Sequence, residues 1–182
     1  MFKRLVILRL INILLALSPV PGITSALAEQ AATDKQGGIT ISPDVAALIE
    51  QAEAGDGDAA NTLGFQYGNG LSVMQNDAEA LKWYRKAVEL GSVEAEYNLG
   101  TAYKNGYGVP LDEGEAAKWY RKAAEHGNAD AQNSLAHMYE QGHGVPQDYA
   151  EAAKWYRKAA AQGLSVAEES VQRLIDKKLV KD

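Results

Sequence analysis

The sequence predicts an all-α solenoid of helix-turn-helix repeats, and three observations predict it. The hexapeptide at 154–159, Lys154-Trp155-Tyr156-Arg157-Lys158-Ala159, occurs unchanged at 118–123 and at 82–87. Glycines follow the same period, from Gly55 through Gly91 and Gly127 to Gly163, as do Leu63, Leu99 and Leu135. Within each period the apolar residues fall at helical spacing, and paired turn residues separate two such stretches. Self-similarity at about this period marks a stack of supersecondary units, none of which can bury its apolar face alone.

The chain has 182 residues. Its first stretch reads as an export signal: a basic start with Lys3 and Arg4, an apolar run over 5–17 interrupted by Arg9 and Asn12, helix breakers at Pro19 and Pro21, then Ala26-Leu27-Ala28. That order matches a secretory signal cleaved after Ala28, so the expected location is periplasmic or secreted. The apolar run falls short of the ~20 residues that span a bilayer, and no membrane span is expected after cleavage. Removing 1–28 takes away Lys3, Arg4 and Arg9 and no acid, which moves the net charge from -6 to -9. An acidic surface repels phosphate backbones, which argues against a nucleic-acid partner. There is no cysteine, hence no disulfide and no lipidated cysteine.

Residues 29–41 are small and polar and read as a flexible leader. Residues 42–182 read as the repeat domain. Ser42-Pro43-Asp44 supplies a cap, a first-turn proline and a first-turn acid, opening an N-terminal cap helix over 42–54 with Val45, Leu48, Ile49 and Ala52 on one face. Repeats follow over 55–90, 91–126 and 127–162. In the middle one, Ser92 caps helix A, which runs to about Lys104 with Ala95, Leu99, Ala102 and Tyr103 on one face. Gly100 lets another helix approach closely. Asn105-Gly106-Tyr107-Gly108-Val109-Pro110 breaks the helix. Asp112 with Glu115 forms a capping box for helix B, as do Asn76 with Glu79 and Asp148 with Glu151. Helix B then carries Ala116, Trp119, Tyr120 and Ala123 on a stripe facing two neighbours. A C-terminal cap helix over 163–182 opens on Ser165 and Glu168, with Ala167, Val171, Leu174 and Ile175 on its apolar face.

The register from Ala95, Leu99, Gly100 and Tyr103 through Gly106, Gly108, Asp112 and Glu115 to Trp119, Tyr120, Ala123 and Gly127 resembles the Sel-one-like repeat, a relative of the tetratricopeptide repeat. The resemblance covers about residues 54–163. The third repeat has Ala136 where Gly100 stands. The first has Ser72 for the second loop glycine and Met74 for Pro110, so its loop is expected to differ in shape. The resemblance implies a right-handed α-α superhelix that holds a protein or peptide in a concave groove lined by helix A, as an adaptor, regulator or immunity-type binder. Cysteine-rich relatives are linked to β-lactam hydrolysis, and an envelope hydrolase is the alternative. With no cysteine, that analogy is weak.

No catalytic residue, metal ligand or cofactor motif emerges. His126, His137 and His143 lack helix-face ligand spacing, no Gly-x-Ser-x-Gly or phosphate-binding glycine loop is present, and most carboxylates sit where helix capping explains them. The basic pairs Arg85-Lys86, Arg121-Lys122 and Arg157-Lys158 read as a solvated outer face. Candidate partner-binding positions face away from the buried arc of helix A and change between repeats: Asn61 and Phe65 in the first; Tyr97, Thr101 and Lys104 in the second; Asn133, His137 and Glu140 in the third. Phe65 and Tyr97 are expected to offer apolar contact area, with Lys104, His137 and Glu140 supplying polar discrimination.

Overall fold

The computed structural model describes residues 42–181. The export signal and leader expected over 1–41 lie outside these residues. Residues 47–181 belong to one compact unit. The described residues form eight α-helices: α1 (Pro43–Glu53), α2 (Gly57–Asn69), α3 (Asp77–Glu89), α4 (Val93–Asn105), α5 (Glu113–Glu125), α6 (Ala129–Gln141), α7 (Tyr149–Ala161) and α8 (Ser165–Asp176). From α2 to α8 each helix packs against the next along the chain. Helices α2, α4 and α6 are the A helices; α3, α5 and α7 are the B helices.

Every A and B helix starts on a side-chain cap. Asp56, Ser92 and Asn128 accept amide hydrogens at the A helices, and Asn76, Asp112 and Asp148 do so at the B helices. The expected capping boxes are only half formed. The backbone amides of Asn76, Asp112 and Asp148 donate to the carbonyls of Tyr67, Tyr103 and Tyr139 at 2.8–2.9 Å. This staples each B helix to the end of its own A helix and frees the third-position glutamate. Glu79, Glu115 and Glu151 pair instead with Lys82, Lys118 and Lys154 one turn on. The last helix departs further from expectation. Its cap position is Leu164, without a side-chain hydrogen bond, and Ser165 already lies inside the helix.

The A–B turns show why two glycines recur. Gly70, Gly106 and Gly142 end the A helices in the left-handed region, and Gly108 and Gly144 take φ of 68° and 66°. A Cβ on Gly108 would stand 2.6 Å from the Asp77 carbonyl oxygen, and one on Gly144 would overlap the Glu113 carbonyl. The glycine therefore lets each turn rest on the first residue of the previous B helix. Ser72 keeps the same conformation, φ 62°, so the first turn keeps its left-handed step despite its sequence. That costs a non-glycine residue roughly 1–2 kcal/mol.

The core runs as a ladder. Ala59, Leu63, Ala95, Leu99, Ala131 and Leu135 come from the A helices, and Ala80, Tyr84, Ala116, Tyr120, Ala152 and Tyr156 from the B helices. The stripe expected to bury both aromatics of helix B buries them unequally. In each Trp-Tyr pair the tyrosine is buried, whereas Trp83 and Trp119 are half-buried at the flank and only Trp155 is covered, at 6% exposed. The tyrosine rings need the small residues opposite. A Cβ on Gly64 would lie 2.5 Å from the Tyr84 ring, and one on Gly100 2.6 Å from the Tyr120 ring.

Candidate interaction face

The A helices bring the variable positions into three rows. Asn61, Tyr97 and Asn133 form one; Phe65, Thr101 and His137 the next; Gly68, Lys104 and Glu140 the third. The structure treats their members unequally. Phe65 is 50% exposed, and Lys104 and His137 are exposed. Asn61 is half-buried and accepts a 2.8 Å hydrogen bond from Asn98, tying α2 to α4.

Tyr97 is not the free apolar surface expected of it. Its ring stands 5.6 Å from that of Tyr120, centroid to centroid, and packs against the core. Thr101 shares a hydrogen bond of 3.1 Å with the Tyr120 hydroxyl. The Asn133 side-chain oxygen is buried with no hydrogen-bond partner. Glu140, expected as a polar contact for a partner, is 7% exposed. It accepts from the Tyr156 hydroxyl at 2.9 Å and from Arg173 of α8 at 2.7 Å. The cap helix covers it, and two donors satisfy the buried carboxylate.

Between the first two repeats the face opens into a cavity of about 210 Å³. Phe65 and Asn69 come from α2, Tyr84 from α3, Thr101 and Ala102 from α4, and Tyr107 from the turn. Its rim carries two exposed aromatics, since Tyr107 is 54% exposed. One repeat later the counterpart of Ala102 is Met138, which is buried; that of Phe65 is Thr101, that of Thr101 is His137 and that of Tyr107 is His143. Tyr107 was not singled out in the sequence because it lies in a turn. The signal was present in the change Leu71, Tyr107, His143 at one turn position.

At the third repeat the face carries two imidazoles, where the second repeat has Thr101 and Tyr107. The rings of His137 and His143 lie 6.4 Å apart. Burial first, and then Lys104, hold the proton affinity of His137 below its ordinary value; His143 and Arg173 act the same way, while Glu140 opposes them.

The outer basic pairs are engaged within the chain. Arg121 donates to the Tyr139 hydroxyl at 2.5 Å, and Arg157 to the Lys181 carbonyl at 2.7 Å. Lys86, Lys122 and Lys158 stand over the Trp83, Trp119 and Trp155 rings at 5.3, 5.2 and 4.0 Å. Lys122 also joins His126 on the buried Glu96, at 3.1 and 2.8 Å. Among the described residues, no group of three or more His, Asp or Glu side chains could hold a metal ion, and no helix is long and apolar enough to cross a membrane.

Three consecutive stretches, 57–92, 93–128 and 129–164, match the model of the Sel1 repeat. The solved structures similar to this chain include a protective antigen of uropathogenic Escherichia coli strains that displays an SLR fold. It is 40% identical over 73% of this chain, with a TM-score of 0.71, and the match spans only 28% of the antigen's length. A Sel1 repeat protein from Oxalobacter formigenes is 41% identical, over 72% of this chain and 99% of that one, with a TM-score of 0.66. Cysteine-rich protein B of Helicobacter pylori is 28% identical, over 68% and 93%, with a TM-score of 0.54. No curated protein matches the chain.

Proposed function

The chain belongs to the Sel1 repeat family, whose members are typically protein–protein interaction modules, and we propose that it holds a stretch of a partner protein across the face of its A helices. One observation carries this reading. The face opens between the first two repeats into a cavity with Phe65 and Tyr107 exposed at its rim. Exposed aromatics beside a preformed depression are what anchors a partner side chain at an interface hot spot. The outer basic pairs support the same choice of face, because intramolecular partners already occupy them. The role follows as adaptor, regulator or immunity-type binder.

A photo-reactive phenylalanine analogue placed at position 65 is expected to cross-link a partner in cells, and one at position 121 is not. An adduct from 121 with none from 65 would move the site to the outer face.

The reading includes export, supported by the basic, apolar and Ala-x-Ala order of residues 1–28. Protein recovered from the cell envelope is expected to begin near Glu29 by mass spectrometry. An intact Met1 on cytosolic protein would remove export from the reading.

A further inference from the structure

Moving along the A-helix face, the aromatic rim of the first cavity gives way to nitrogen. One repeat on, Thr101 is replaced by His137 and Tyr107 by His143. Lys104, near the end of α4, is exposed, with no ion pair among the described residues. Arg173 reaches in from α8 with its side chain 43% exposed. Only its Nη2 bond to Glu140 is recorded, and a guanidinium carries five N–H donors. The acids nearby do not cancel this cluster at the surface. Glu140 is buried, and its charge is taken up by Tyr156 and Arg173. Glu113 stands at the edge, 4.0 Å from His143 Nδ1, and is itself exposed to water. In a chain of net charge -6, Lys104 is thus an exposed cation that no acid of the described residues pairs, next to the spare N–H donors of Arg173 and the ring of His137. Such a donor-rich patch steers and selects partners.

We propose that the partner stretch is acidic, with an Asp or Glu carboxylate held by Lys104, His137 and Arg173 while a neighbouring apolar side chain enters the cavity at Phe65 and Tyr107. This rests on the interaction reading above and adds the partner's chemistry. Lys104 supplies the unpaired charge, Arg173 the N–H donors that Glu140 leaves unused, and His137 an N–H donor in its neutral form. The arrangement selects against basic peptides, because a lysine there would meet Lys104 and Arg173 at close range.

The test pans a phage-displayed library of random peptides against the full chain and against the Lys104→Glu variant, with folding of both checked by circular dichroism. Peptides enriched on the wild type are expected to carry Asp or Glu beside a large apolar residue. A synthetic copy of the best one is expected to lose affinity about tenfold or more on Lys104→Glu. Changing its acidic residue to lysine should restore binding to that variant. His137→Ala is expected to weaken the wild-type peptide, with less dependence on salt than Lys104→Glu shows. Enriched peptides without acidic bias, or an affinity unmoved by Lys104→Glu, overturn the acidic assignment. If Phe65→Ala and Tyr107→Ala still abolish binding in that case, the interaction face itself stands. If no peptide is enriched, or binding survives all of these changes, both readings fail.

Discussion

Tyr120→Ala is expected to destabilise the chain by about 3–5 kcal/mol, the range for truncating a buried aromatic. Tyr120 is 2% exposed, lies over Gly100, stands beside Tyr97 and shares a hydrogen bond with Thr101. The glycine beneath the ring has no side chain to swing into the space, so the cavity stays open. The residue also sits in the middle repeat, and stability in a stacked array depends on each interface with its neighbours. Trp119→Ala, one position away, is expected to cost less, about 2 kcal/mol, because a partly exposed ring at the flank loses only part of the transfer free energy of a covered one and leaves no closed cavity. Urea denaturation of the two variants side by side decides the order. Equal losses would show that the tryptophan carries the interface as much as the tyrosine does.

This pair also shows how far the fold was legible. The period, the caps, the turn glycines and the helix bounds follow from local chemistry, and local chemistry repeats: Asp56, Ser92 and Asn128 each cap an A helix for the same reason. The choice between two adjacent aromatics does not follow, because a stripe drawn at 100° per residue includes both positions 119 and 120. It is settled by Gly64, Gly100 and Ala136, whose small side chains make room on the neighbouring helix for the tyrosine. The variable face was legible as a face and less so residue by residue. Phe65, Lys104 and His137 are exposed, but Glu140 is closed over by α8. That helix has left the repeat register, so nothing in the repeat pattern says that Arg173 comes to rest there. Ser72 makes the converse point. A departure in sequence need not be one in shape when the cost is a single left-handed residue.

The same tyrosines make the array sensitive to alkali. Burial, and next the charge of Glu94, push the Tyr84 hydroxyl up to about 12, and burial does the same for Tyr120. Tyr156 is raised by burial and by its hydrogen bond to Glu140. In the unfolded chain each would ionise near 10. Below that pH both states hold the proton, and the stability is fully present. Between about 10 and 12 the unfolded chain sheds protons that the folded chain keeps, so the unfolding free energy falls with rising pH, by about 1.4 kcal/mol per pH unit for each such tyrosine. Tyr120 would remove roughly 2 kcal/mol by about pH 12, and Tyr84 less, because water screens its less deeply buried hydroxyl, against a total that is typically about 5–15 kcal/mol. The expected result is a cooperative loss of helical circular dichroism in this window, with a late fraction of the tyrosinate absorbance appearing in the same step. Tyr120→Phe has no proton to lose. It is expected to start slightly less stable at neutral pH, for want of the Thr101 hydrogen bond, and then to decline less steeply above pH 10. If all the tyrosines titrate near pH 10 while the helices stay intact, the rings are open to water and the ladder they form is not the core.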